Sequence, residues 1–434
     1  MQASKRLFTL LWILAAFGIA ASVWPQAAIF WWTALAALAV LALLDALLVF
    51  RKHSLTTSRA LPDTLPLGVW RHANLHLTNA SKRKAHFDVY DHYPTSLQTK
   101  GLPQTLTLEP GTHADIQYDI RSTEREELSF PHTHIRLTSP LGLWQRLIKL
   151  GDETRSKVYP NFAAVSKFIL LAMDNRLSQM GILKKRRRGE GQDFHQLREY
   201  RKGDSLRQID WKASSRTRKL ISREYQDERD QQIIFLIDGG QRMLSKDGEL
   251  SHFDHTLNAS LLLAYVALRQ GDAVGLGTFS GEQRWLPPIK GIGLINRLLN
   301  NIYDLQPSTQ TPDYSQAAME LLKRQKKRSL IIIITNVRDE DTDDLLPALQ
   351  LLRKRHLVLL ASMQEEIVQK TLEKPIKNFD DALRTAATRE YLSHREKAFD
   401  KVRASGILSL DVLPSELSVS LVNKYLEIKS SGQL

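Results

Sequence analysis

Ile233-Ile234-Phe235-Leu236-Ile237-Asp238 is an unbroken apolar run, rich in β-branched residues, that ends in a carboxylate. A strand without apolar–polar alternation is buried on both faces, which places it inside a parallel sheet covered by helices. The residues after it keep that rhythm. Helices are predicted over Phe253–Arg269, Gly293–Tyr303, Tyr314–Lys327, Asp341–Arg355, Asp380–Ala404 and Pro414–Ile428. Strands are predicted over Ala273–Phe279, Leu330–Thr335, His356–Ala361 and Ile407–Val412, with a short antiparallel one over Gln283–Leu286. Alternation of this kind predicts a doubly wound α/β domain over residues 231–434. Such domains bind ligands at the carboxyl ends of their strands, where the strand order reverses, and Asp238 occupies a place of that kind.

Upstream the period changes. Leu67–Asn79, Lys84–Asp91, Gln104–Leu108, His113–Ile120, His134–Leu137 and Trp144–Leu150 read as short strands, several alternating, as in Ala73-Asn74-Leu75-His76-Leu77. Glu109-Pro110-Gly111 reads as a hairpin turn and Ser139-Pro140-Leu141-Gly142 as another. Short strands with no helix between them predict a small all-β sandwich over residues 54–160.

Residues 1–53 are different again. Leu7–Trp24 and Ala27–Phe50 are apolar runs of about 27 and 36 Å as helices, near the ~30 Å hydrocarbon thickness of a bilayer. Pro25 and Gln26 alone separate them, which predicts a tight transmembrane hairpin with Trp24, Trp31 and Trp32 at its tip. Lys5, Arg6, Arg51 and Lys52 flank the outer ends, so both termini and the body are expected on the cytoplasmic side of the plasma membrane. The competing reading is a cleaved signal peptide, with Ala20-Ala21-Ser22 imitating the cleavage site. Asp45, the one charge inside the second run, is expected at the interface and solvated there.

The 434 residues contain no cysteine, which excludes disulfides, thiolate metal sites and cysteine nucleophiles and fits a reducing compartment. The net charge of +13 favours anionic partners. Residues 161–188 read as a helix ending in Lys184-Lys185-Arg186-Arg187-Arg188, a run suited to anionic lipid or, less well, to nucleic acid. Acidic residues interleave with the later arginines, so a continuous phosphate track is not expected.

The densest motif lies in residues 161–230, between the β and α/β regions. Gly189, Gly191, Phe194, Leu197, Arg198, Tyr200, Gly203, Asp204, Arg207, Asp210, Trp211 and Lys212 follow a fixed spacing, with Ile209 before Asp210. This stretch resembles the signature of the bacterial domain-of-unknown-function fifty-eight family. The resemblance extends to the N-terminal hairpin and to Ser139-Pro140-Leu141-Gly142. It implies a C-terminal domain similar to a von Willebrand A domain and association with MoxR-type AAA+ ATPases in protein assembly or maturation. Read as chemistry, the arginines and carboxylates form a charged clasp that docks the signature onto the α/β domain, with Tyr200 and Trp211 covering the ion pairs. The rival is a hydrolytic site with His195 as acid–base and Asp193 or Asp210 as its partner.

Von Willebrand A domains often hold Mg²⁺ through Asp-x-Ser-x-Ser, a later Thr and a further Asp. Here the first motif is Asp238-Gly239-Gly240-Gln241-Arg242, so Gly240 and Arg242 replace both serines. Thr311 matches the threonine, and Asn336 stands where an Asp is expected, with Asp339 three residues on. With two oxygen ligands lost, neither metal nor cofactor is expected. Arg242 is expected to pair with Asp238, leaving a metal-free rim for a protein partner. The chain thus reads as a multi-domain, membrane-anchored scaffold and not an enzyme, acting with an AAA+ ATPase or its client.

Overall fold

The computed structural model describes residues 1–24, 26–50, 54–161, 193–201, 206–226 and 231–433. The expected helix over 161–188 and its basic run lie outside these residues, as do Gly189, Gly191, Gly203, Asp204, Arg51, Lys52 and Pro25. The chain forms two compact units, Met1–Tyr159 and Pro160–Leu434.

In the first unit, β1 (Gln2–Ala3) leads into α1 (Lys5–Val23), which is capped by Ser4, and α2 (Ala27–Phe50) follows. The two helices pack together. Trp31 Nε1 donates to the Leu14 carbonyl (2.9 Å), over Gly18, where an added Cβ would sit 2.8 Å from that nitrogen. Both helices are long and apolar enough to cross a membrane, and only 11% of each is covered by protein.

The strands that follow are β2 (Leu55–Ala60), β3 (Thr64–Pro66), β4 (Arg71–Asn79), β5 (Ala85–Asp91), β6 (Leu97–Lys100), β7 (Gln104–Leu108), β8 (His113–Ser122), β9 (Glu127–Phe130), β10 (Thr133–Thr138), β11 (Trp144–Leu150) and β12 (Thr154–Tyr159). They form sheets ordered β2-β4-β8-β6, β1-β11-β10-β5-β7 and β3-β12-β9. Alternation buries one side of β4 and β5, where Leu75, Leu77, Phe87 and Val89 are inaccessible. Arg59 of β2 and Tyr118 of β8 both bond Asp91 of β5 (2.9 Å from Arg59 Nε, 2.5 Å from Tyr118 Oη), tying the two larger sheets through their inner faces. Glu109-Pro110-Gly111 is not a hairpin turn. β7 pairs with β5 and β8 with β4, so this segment carries the chain from one sheet to the other.

Ser139-Pro140-Leu141-Gly142 does turn β10 into antiparallel β11, with Gly142 at φ +75°, and it has a second role. The Asp45 carboxylate accepts from Ser139 Oγ (2.5 Å), Leu141 N (3.0 Å) and Leu143 N (3.1 Å). Ser4 meets the same turn, donating through N to Leu143 O (2.9 Å) and through its hydroxyl to Gly142 O. Trp144 Nε1 reaches the Ala42 carbonyl (2.8 Å). The expectation of a solvated Asp45 is therefore corrected: it is fully buried, because the turn supplies three donors where water was expected.

In the second unit, a hairpin of β13 (Asp193–Glu199) and β14 (Ile221–Gln226) encloses a 3₁₀ turn (Leu206–Gln208) and α3 (Trp211–Thr217). Then come β15 (Gln232–Asp238), the small hairpin β16 (Lys246–Asp247) and β17 (Leu250–Ser251), α4 (His252–Arg269), β18 (Ala273–Phe279), β19 (Trp285–Ile289), α5 (Leu294–Ile302) and α6 (Tyr314–Arg324). They are followed by β20 (Leu330–Thr335), α7 (Thr342–Arg353), β21 (Leu357–Met363), α8 (Glu366–Glu373), α9 (Phe379–Ala404), β22 (Leu408–Val412) and α10 (Leu417–Ser430). The sheet order is β19-β18-β15-β20-β21-β22, parallel except for β19. Ile233, Phe235 and Ile237 pack on the side of α4, α5 and α10; Ile234 and Leu236 pack on the side of α6, α7 and α9. The chain leaves β15 first toward β18 and later toward β20, so the order reverses at the carboxyl end of β15.

Candidate functional site

Asp238 closes β15 at that reversal and is fully buried. Its Oδ1 accepts from Gly240 N (2.8 Å) and its Oδ2 from Thr335 Oγ1 (2.7 Å), the last residue of β20. Tyr314 Oη lies 3.0 Å from Thr335 Oγ1. Burial pushes the Asp238 carboxyl above the usual range, against the pull of Thr335, Gly240 and the Arg242 charge. Burial and the Asp238 charge likewise push the Tyr314 phenol upward.

The loop after Asp238 is held on both sides. Gly239 N donates to Phe279 O (2.8 Å) and Gln241 N to Gln310 O (2.9 Å). A Cβ at position 240 would lie 2.7 Å from Gln310 O and 3.0 Å from Asp238 Oδ1. Glycine is thus what lets the backbone amide close onto the carboxylate, and a serine ligand has no room there.

Arg242 does not pair with Asp238 as expected. Its guanidinium forms an ion pair with Asp341, which the loop after β20 brings beside it, and acts on Asp238 only as a nearby charge. Asn336 is buried and turned to other work: it donates to Glu365 Oε1 (2.8 Å) and accepts from Arg395 Nη1 (3.1 Å). Arg395, itself 2% exposed, also donates to Ser362 Oγ (2.8 Å), Met363 O (2.8 Å), Val337 O and Asp411 Oδ1 (2.7 Å). Thr311 is exposed, and it is Gln310 that touches the 239–241 loop. Asp339 is half exposed, 3.2 Å from His394 Nδ1. The structure therefore gathers Asp238, the Gly240 amide and Thr335, with Arg242 near. It assigns Asn336 to a separate network and leaves Thr311 and Asp339 on the surface.

As a Mg²⁺ site this donor set fits poorly, since it offers one carboxylate already hydrogen-bonded on both oxygens beside a guanidinium. Among the described residues no cluster of three or more potential metal ligands occurs. Thr335 was missed in the sequence although it had a signal: like Asp238, it is a polar residue closing an apolar strand.

The signature builds a small module. Asp210 caps α3, accepting from Ala213 N (2.9 Å) and from Arg223 Nε (2.9 Å), and those two contacts hold its carboxyl below the usual range. Ser214 Oγ donates to Asp210 O (2.7 Å) and accepts from Ile221 N (2.8 Å). Glu199 pairs with Lys219 (2.5 Å), and that cation lowers its pKa. These contacts lie within the module and hold α3 against β14. Trp211 does not cover them, since it is 68% exposed. Tyr200 joins the hairpin through its amide, which donates to Leu220 O (2.8 Å). Leu197 is exposed and Arg198 half-buried, while Lys212 is exposed. Phe194, Asp193 and His195 lie on β13, with a break in register between Phe194 and Gln196 that falls at His195. Arg207 lies in the 3₁₀ turn.

Comparison with known proteins places these observations. The uncharacterized protein YeaD of Bacillus subtilis (strain 168) is 21% identical over 258 residues, 58% of this chain and 60% of that relative, so the match spans less than two thirds of the relative's length. Partial overlaps occur with two solved structures. One is an aerotolerance-related membrane protein from Bacteroides fragilis with multiple mutations to serines (14% identity, 45% of this chain and 98% of that one, TM-score 0.27). The other is a FixG-related protein from Vibrio parahaemolyticus (14%, 24% and 95%, TM-score 0.18). Residues 196–374, from the signature module to the helix after β21, match the family described as protein of unknown function DUF58.

Proposed function

We propose that the chain is a membrane-anchored scaffold whose α/β domain, read as von Willebrand A-like, engages an AAA+ ATPase of the MoxR type or its client through a metal-free rim. The observation that carries the anchored reading is the turn at Ser139–Leu143, which holds both Ser4, ahead of α1, and Asp45, near the end of α2. A cleaved leader would strip that turn of the Ser4 contacts, so the hairpin is part of the folded unit. Both outer helix ends meet one turn, which supports a hairpin with its tip on the far side of the bilayer. The basic flanks then favour a cytoplasmic body.

The strand order, with its reversal at β15, supports a partner-binding rim at the carboxyl ends of β15 and β20. Arg242, paired with Asp341, places a guanidinium near Asp238 where an ion stands in metal-bound sites of this type. Tethering raises the partner's local concentration without new contacts.

The test is co-purification of the tagged full chain from detergent extract with T311A/D339A, two surface changes that spare the buried groups. An ATPase recovered with the parent chain, undiminished by EDTA, and lost with the variant is the expected result. Equal recovery of every partner by both overturns the rim assignment.

The break in strand register at His195 favours a second reading, hydrolysis at the membrane with Asp193 or Asp210, because bulges re-aim side chains at active sites. That reading requires H195A to abolish function while partner recovery persists.

A further inference from the structure

We infer that the outward face of α3 is a second membrane contact, a patch that inserts Trp211 and Leu206 at the headgroup level of an anionic bilayer. Ser214 points inward, pinned between Asp210 and Ile221. At 100° per residue, Lys212 and Arg216 fall opposite Ser214 and Ser215 to one side, while Trp211 at the first position of the helix is turned out to solvent, and all four are exposed. Leu206, in the turn before, is 71% exposed, and Leu220, just after the helix, is also exposed.

Charge selects the occupant. Two of the module's carboxylates, Glu199 and Asp210, are taken by Lys219 and Arg223. Lys212, Arg216 and Arg218 have no ion-pair partner among the described residues. What remains is a bulky amphipathic indole and a leucine beside three exposed cations. That is the composition that settles at an anionic interface, the indole at headgroup depth and the cations on lipid phosphates. A two-turn helix presents far less than the ~800 Å² per partner of a stable protein interface. Insertion at a bilayer needs no such area, because tethering raises the local concentration of the module at lipid. The reading rests on the anchored hairpin and goes beyond it, since the anchor alone leaves this face wet.

The chain has no cysteine, so single substitutions give unique labelling positions. Full-length S215C, I13C and Q316C, each carrying a nitrobenzoxadiazole fluorophore, are reconstituted into phosphatidylcholine vesicles with or without 30% phosphatidylglycerol and quenched with spin-labelled lipid. I13C reports anchoring and is expected to be quenched in both vesicles, and its failure strikes the anchor alone. Q316C, on exposed α6 surface, is expected to stay wet. S215C is expected to be quenched in the anionic vesicles, weakly in the neutral ones, and to recover in high salt. Changing Lys212, Arg216 and Arg218 together to Gln is expected to shift the bound-to-free ratio roughly a hundredfold, since each cation near an anionic surface contributes about a factor of five. The conservative triple change to Lys at 216 and 218 with Arg at 212 is expected to keep it. An S215C probe that stays wet in anionic vesicles while I13C is quenched overturns the proposal. So does one that is covered by added poly-glutamate and not by lipid, which would assign the patch to an acidic protein.

Discussion

Two buried carboxylates, Asp45 at the anchor and Asp238 at the sheet rim, are equally hidden and differently held. Asp45 accepts two amides and a hydroxyl from one tight turn and joins two elements nearly a hundred residues apart. Asp238 accepts one amide and one hydroxyl, and its burial outweighs them, so its proton affinity rises. The first is a staple. The second is a site held in tension, next to a guanidinium that is committed to a different acid. The number and direction of donors, and not burial, separate a structural carboxylate from one poised at a functional rim.

The largest effect expected in testing that contrast comes from the network beside the rim. R395M leaves Asp411, Asn336 and several carbonyls without their donor and is expected to remove about 3–5 kcal/mol of unit stability, read by denaturant melts. D45A is expected next, at about 2–4 kcal/mol, as Ser139 Oγ and two amides lose their acceptor; thermal melting in detergent and protease release of the β-unit from the hairpin report it. G240A is expected to cost about 1–3 kcal/mol, because the new methyl meets Gln310 O, and to weaken partner recovery.

D238N is the smallest and the sharpest. A carboxyl whose folded pKa is raised gives stability that is complete at low pH and is lost as pH climbs through the folded value. The parent chain should therefore weaken from the ordinary carboxylate range upward, and D238N should lack that slope. At neutral pH it is expected to lie between no change and a gain of about 1 kcal/mol in thermal melts. A loss of several kcal/mol would place Asp238 with Asp45 as a staple.

The same contrast explains what was legible in the sequence. The parallel apolar strands of the α/β region fixed their own positions within two residues, because burial on both faces leaves a continuous pattern. Asp238 stood out because a charge ended one of them. In the β-unit, Leu55–Ala60, Leu97–Lys100, Glu127–Phe130 and Thr154–Tyr159 passed unnoticed, since short half-exposed strands carry little periodicity. The signature's hairpin was missed for the same reason. The partners of Asp45, Arg242 and Asn336 lie dozens of residues away on other elements, and no local spacing announces a contact made by the fold. Trp211 was expected to cover the ion pairs of the signature, and instead it stands exposed at the first position of α3, next to the capping Asp210.

The measurement that tests the account most directly is protease access in protoplasts expressing the full chain, alongside carbonate washing of their membranes. The account predicts that the chain stays in the washed membrane pellet and that protease added outside leaves everything after residue 53 intact until the membrane is broken. A chain extracted by carbonate, or a body digested in sealed protoplasts, would contradict it.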